Sequence, residues 1–72
     1  MEQSELLKLQ KYFRDLFRLD TIEVVPQPIK DDSAEVMVGE EFIGVIYRDE
    51  EDGEISYQFQ MAILDIDLPT TN

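Results

Sequence analysis

The chain has 72 residues with a formal net charge of −11 and neither cysteine nor histidine. Those absences exclude disulfides, Cys/His zinc sites, a cysteine nucleophile, a Ser-His-Asp triad and a histidine pH switch. A chain this short buries only about 60% of the surface its unfolded form exposes, so a single domain over residues 1–72 of marginal stability is expected.

The charge is divided unevenly. Residues 1–19 hold four cations against three acids, a surplus of one positive charge. Residues 20–72 hold two cations, Lys30 and Arg48, against fourteen acids, a surplus of twelve negative charges. Such a field opposes contact with nucleic-acid phosphates or anionic lipid, so neither is an expected partner. The opening "MEQSELLKLQKYF" has early acids and no cationic start before an apolar run, unlike a signal peptide. No apolar stretch approaches the roughly 20 residues that span a bilayer. The expectation is a cytoplasmic protein.

In chain order, the spacing first predicts a helix over about 4–18. Leu6, Leu9, Phe13, Leu16 and Phe17 fall on one face, and Lys8, Lys11, Arg14 and Arg18 project from the other. Ser4 suits the N-cap, Glu5 the positive end of the helix dipole, and Arg14 and Arg18 its negative end. The basic stripe is an ordinary solvated face, or a surface for an acidic partner.

From residue 21 the period becomes two. "TIEVV" forms a short strand over 21–26, placed at an edge or closed by Pro26 and Pro28, because proline lacks the donor a central ladder needs. "PIKDDS" reads as a loop. "AEVMV" (34–38) and "FIGVIYR" (42–48) form a hairpin around Gly39-Glu40, a pair suited to a type II′ turn. This register sets Val38 opposite Glu41, Val36 opposite Ile43 and Ala34 opposite Val45.

A second hairpin joins 42–48 to a strand over 54–63. With residues 49–53 as its loop, Tyr47 faces Ile55, Val45 faces Tyr57 and Ile43 faces Phe59. Both registers then place Ile43, Val45, Val36, Ala34, Tyr57 and Phe59 on one apolar face. A helix across that face gives an α+β domain, an N-terminal helix on a three- or four-stranded antiparallel meander.

Near the C-terminus the apolar parity changes. Ile55, Tyr57, Phe59, Met61 and Ile63 fall on odd positions, and Leu64, Ile66 and Leu68 on even ones. The chain therefore bulges, bends or leaves the sheet near Leu64, with a helical turn through "MAILD" as the alternative. The tail covers 64–72.

The acidic residues do not assemble into a site. Asp65 and Asp67 share a face if extended, but no third ligand, phosphate-binding loop or activated nucleophile accompanies them. "DEEDGE" at 49–54 fails as a calcium loop, since aligning on Gly53 puts Arg48 at the first ligand position and Phe59 at the twelfth. No catalytic, cofactor-binding or metal-ligating residue is expected, and no enzyme.

The informative surface is the sheet face away from the helix. Met37, Phe42 and Ile46 are apolar there, around Gly44 and Ala62, where a solvated antiparallel face should be polar. With Ile66 and Leu68 of the tail, they are the expected interface for a protein partner or a second copy. The tail folding back over them is the competing expectation. An alternative function is an acidic decoy, with Glu40, Glu41, Asp49, Glu50, Glu51, Asp52 and Glu54 occupying a basic protein surface.

The runs "KDDSAEV", "GEEFIGVIY", "DEEDGE" and "FQMAILDIDL" resemble a family of short alphaproteobacterial proteins of unknown function, over about Glu5 to Leu68. The resemblance implies a free-standing bacterial cytosolic protein. It supplies no catalytic or binding residues.

Overall fold

The computed structural model describes residues 1–70. One N-terminal helix is followed by a four-stranded antiparallel meander in the order β1-β2-β3-β4, an α+β fold.

Helix α1 spans Gln3–Phe17. Glu2, not Ser4, is its N-cap, and the Glu5 carboxylate accepts the Glu2 backbone N–H at 3.1 Å. Glutamate three residues inside the cap can satisfy that free donor, so the helix begins earlier than a serine cap implies. At the other end Arg18 adopts a left-handed conformation (φ 54°, ψ 48°), and Leu19 N–H donates to the Arg14 carbonyl at 3.1 Å. This turn satisfies a terminal carbonyl and reverses the chain into β1 (Ile22–Pro26). Two polar side chains tie α1 to β1: Arg14 Nε donates to the Ile22 carbonyl (2.8 Å), and Gln10 Oε1 accepts Val24 N–H (3.0 Å).

β1 is one edge of the sheet, paired with β2 (Ser33–Val38) from Ile22–Val38 to Pro26–Ala34. β3 spans Glu41–Glu51 and β4 spans Glu54–Gln60. Gly39 has φ +62° and Val38 faces Glu41, as the two-residue turn requires. Beyond it the register departs from the sequence expectation. Met37 faces Phe42, but Val36 faces Gly44, so Ile43 is an extra residue. This bulge inverts the rest of β3: Ala34 faces Ile46 and Glu35 faces Val45.

The second turn differs too. Asp52 (φ 53°) and Gly53 (φ +80°) alone connect β3 to β4, because two successive positive φ values match the strand twist. The acids at 49–51 are therefore strand residues, and Ile46 faces Phe59, Arg48 faces Tyr57 and Glu51 faces Glu54. The bulge and the shorter turn each shift parity once. They cancel in β4, so Tyr57 and Phe59 face the helix as expected, while β3 alone is reversed. β4 ends at Gln60 rather than residue 63.

The core comprises Leu6, Phe13, Ile22, Val24, Ala34, Val36 and Ile46, with Leu9, Val38, Ile43 and Phe59 packed against it. Phe13 meets Phe59 edge-on at 5.4 Å and stacks on Phe17 at 5.7 Å. Leu16 and Phe17, expected in the buried stripe, remain 56% and 52% exposed, because α1 has sheet beneath it only on its Leu6–Phe13 side.

Candidate interaction surface

The five residues expected to form an interface do not stay together. Met37 and Phe42 are cross-strand partners on the sheet face away from α1, half-buried and 52% exposed respectively. Ile46 is not there. The bulge turns it into the core, where it is fully buried. Its place on the outer face is taken by Val45 and Tyr47, which share that face with Glu35, Gln58 and Gln60. Ile66 and Leu68 lie in the tail at 87% and 54% exposure. The tail therefore leaves the outer sheet face uncovered.

The parity change is resolved by departure from the sheet. After Gln60 the chain has no regular structure up to Leu64, itself extended, and then makes a single 3-10 turn over Asp65–Asp67. Leu68 N–H closes this turn on the Asp65 carbonyl at 3.1 Å. The aspartates belong to a turn, not a strand. Among the described residues no group of three or more acidic side chains converges as a metal site requires. Thr71 and Asn72, the end of the expected tail, lie outside the described residues.

Two concavities flank the place where β4 stops. On one side a shallow groove of about 680 Å³ is lined by Phe42, Val45, Tyr47, Gln60, Met61 and Ala62, among others. On the helix side a smaller cleft of about 240 Å³ opens between the end of α1 and the sheet. Its walls are wholly apolar: Phe13, Phe17 and Leu19 on one side, Val38, Ile43, Phe59 and Met61 on the other. This cleft is absent from the sequence expectation, which placed Phe17 on the apolar face of the helix and went no further.

Gly44 is what permits the bulge beside these cavities. A Cβ there would collide with the Gln60 carbonyl oxygen and lie 2.6 Å from Cε1 of Phe59. Only glycine lets β4 and its phenylalanine approach so closely.

A polar cluster fastens the middle of β4. Tyr57 donates its hydroxyl to Glu5 Oε2 at 2.7 Å, and Arg48 Nε lies 3.5 Å from the same oxygen. The Tyr57 bond, then the Glu2 N–H, hold the Glu5 carboxyl below its usual range, with a smaller contribution from Arg48. The same bond raises the Tyr57 phenol. Tyr57 and Glu5 satisfy each other, whereas the buried Arg48 Nε has an ion-pair contact but no hydrogen bond among the described residues; the cluster is a staple between helix and sheet.

No helix among the described residues is long and apolar enough to cross a membrane. No curated protein and no solved structure matches the chain. A family model for proteins of unknown function, DUF3126, matches residues 5–67, which takes in α1 from Glu5 onward, the whole sheet and the 3-10 turn; the chain belongs to that family.

Proposed function

We propose that this protein acts by binding other protein chains, its own copies included, and catalyses no reaction. The setting we assign it is the cytoplasm of an alphaproteobacterium, without cofactor, nucleic acid or membrane as partner. The observation that carries this reading is the number of exposed large apolar residues at and just after the end of β4. Phe42, Met61, Ile63, Leu64, Ile66 and Leu68 are each at least half exposed. Apolar residues grouped in this way mark contact sites more often than chance exposure does.

The test is solution mass by light scattering at low and high salt, for the native chain and Phe42→Glu. An oligomer that persists in salt supports apolar docking. A monomer throughout, which captures no protein through this surface, counts against it.

A second reading is favoured by the β3–β4 hairpin tip. Glu51 and Glu54 are cross-strand partners of like charge, next to Asp52, and all three are exposed. Like charges placed opposite each other destabilise a strand pair, so a cationic surface would relieve them. On this reading the acidic tip occupies a basic protein surface. Its binding weakens steeply between low and physiological ionic strength, whereas apolar docking does not.

A further inference from the structure

We propose that two copies of this chain join edge to edge through β4, pairing antiparallel across a two-fold axis so that their four-stranded sheets become one. The inference rests on the reading of the protein as a protein-binding module and names the partner and the contact.

The sheet has two edges, β1 and β4, and the fold closes only the first. Thr21 bonds across to Gly39, and bonding direction alternates along a strand, so Ile22, Val24 and Pro26 point their backbone groups outward. Ile22 N–H donates to the Leu19 carbonyl at 3.5 Å, and Val24 N–H donates to Gln10 Oε1 at 3.0 Å. The Ile22 carbonyl accepts Arg14 Nε, and Pro26 has no N–H to offer. No outward donor is left on β1 for another strand.

β4 is open. Its two-residue turn makes Glu51–Glu54 the closing hydrogen-bonded pair, so Glu54, Ser56, Gln58 and Gln60 bond to β3. Ile55, Tyr57 and Phe59 then point their N–H and C=O groups away from the sheet. Among the described residues none of these groups has a hydrogen-bond partner. The strand also lacks what usually blunts an edge: proline, lysine, a bulge, or a charge on its helix-facing side.

The residues of β4 complement themselves. With Tyr57 opposite Tyr57 of the second copy, all seven residues of Glu54–Gln60 find a partner. Ile55 faces Phe59, Ser56 faces Gln58 and Glu54 faces Gln60. Apolar side chains thus meet on the helix side and polar ones on the other. The odd-numbered pairs are those whose backbone groups point outward, and each exchanges two hydrogen bonds.

Charge favours the same contact. A net charge of −11 drives copies apart over most of their surface. β4 carries one acid, Glu54, and antiparallel pairing sets the two copies of it at opposite ends of the seam. An extended segment of another protein would satisfy the same backbone groups. The symmetric alternation about Tyr57, and the near absence of charge in so acidic a chain, favour a second copy. The joined sheet ends on both sides in a closed β1, so association stops at two.

The test is amide hydrogen exchange of the native chain at micromolar and millimolar concentration, with its mass followed by sedimentation equilibrium. In the dilute monomer the Ile55, Tyr57 and Phe59 amides exchange fast between slow Ser56 and Gln58. In the concentrated sample that alternation disappears, because the outward amides are now bonded. Ile55→Pro removes an outward donor that β3 does not use, so helix content is retained while the dimer weakens by roughly tenfold or more.

A dimer in which the fast and slow amides still alternate along β4 overturns edge pairing. If that dimer is lost in Phe42→Glu, the protein-binding reading stands, with the outer sheet face as its surface. A chain that stays monomeric at millimolar concentration also overturns edge pairing, and the protein-binding reading then depends on a partner other than a second copy.

Discussion

Under the helix, Ile22, Val24, Ala34, Val36 and Ile46 are at most 6% exposed, whereas Ile55, Met61, Ile63, Leu64 and Ile66 are 49% to 87% exposed. Both groups are aliphatic, and both lie on or directly after strands of one sheet. The difference is cover. A helix is about 10 Å across and strands are about 4.8 Å apart, so one helix shelters two or three strands. α1 is anchored over β1 by Arg14 and Gln10, which leaves β4 beyond its reach except where Phe59 touches Phe13 and Tyr57 touches Glu5. The same composition thus makes a core in one half and an open surface in the other.

The strongest way to break that contrast is to truncate one aliphatic residue in each half. Ile46→Ala leaves a cavity under the helix and is expected to cost about 2–5 kcal/mol, a large part of the stability of a domain this small. Ile66→Ala is expected to stay within about 0.5 kcal/mol. Urea unfolding midpoints at equal m-value measure both. Equal losses would mean that the tail is packed in solution and that the two halves are not distinct.

The seam between the halves is tested by Gly44→Ala. The added methyl group is directed at the Gln60 carbonyl and the Phe59 ring, and backbone cannot swing aside as a flexible side chain does. A loss of about 1–3 kcal/mol is expected, with exchange protection of the β4 amides falling before that of β1 and β2. Uniform loss of protection across the sheet would show that β4 is as firmly bound as the covered strands.

A smaller effect is expected at the polar staple. Tyr57→Phe removes the hydroxyl donated to Glu5, at a cost of about 1 kcal/mol. The pH dependence separates it from lost packing. Glu5 is depressed in the folded state, so its contribution is present above the unfolded carboxylate pKa of about 4.3 and lost as pH falls through the folded value. Tyr57 is raised, so its contribution is complete below the unfolded phenol pKa of about 10 and lost as pH rises through the folded value. In Tyr57→Phe the acid limb shrinks and the alkaline limb from this residue disappears. An unchanged acid limb in thermal melts would remove the Tyr57 bond as the main cause of the Glu5 shift.

The helix, the end of the first strand at Pro26 and the first turn at Gly39 were legible from local residue chemistry, whereas the place of that strand in the sheet was left open. The bulge was not read, although Gly44 inside an apolar run is the usual mark of one. The second turn was placed correctly at Asp52-Gly53, but its loop was drawn too long. Asp52-Gly53 is itself a two-residue turn signal, but the acids on either side made the whole of 49–53 look like a loop. Each omission reversed parity once. Two registers therefore agreed on a face that was right for β2 and β4 and wrong for β3, and Ile46 was placed outside when it is at the centre of the core. The open cleft was illegible for another reason: which part of a broad helix stripe meets a sheet depends on where Arg14 and Gln10 dock, a long-range fact.

The smallest effect concerns the far tip of the uncovered half. Glu51→Lys places a cation opposite Glu54 in place of a second acid. Opposite charges across a strand pair are favourable by roughly 0.2–1 kcal/mol where like charges are not, so the variant should be slightly more stable than the native chain at low salt. The gain should shrink towards zero near 1 M salt, where the screening length is about 3 Å. Urea midpoints at the two ionic strengths measure it. A gain independent of salt would trace to strand propensity rather than charge, and the native Glu51–Glu54 repulsion would then be too weak to favour a basic partner. A salt-dependent gain would show that the tip retains unrelieved charge in the free protein, leaving the acidic-tip reading as a distinct second use of the half that the helix does not cover.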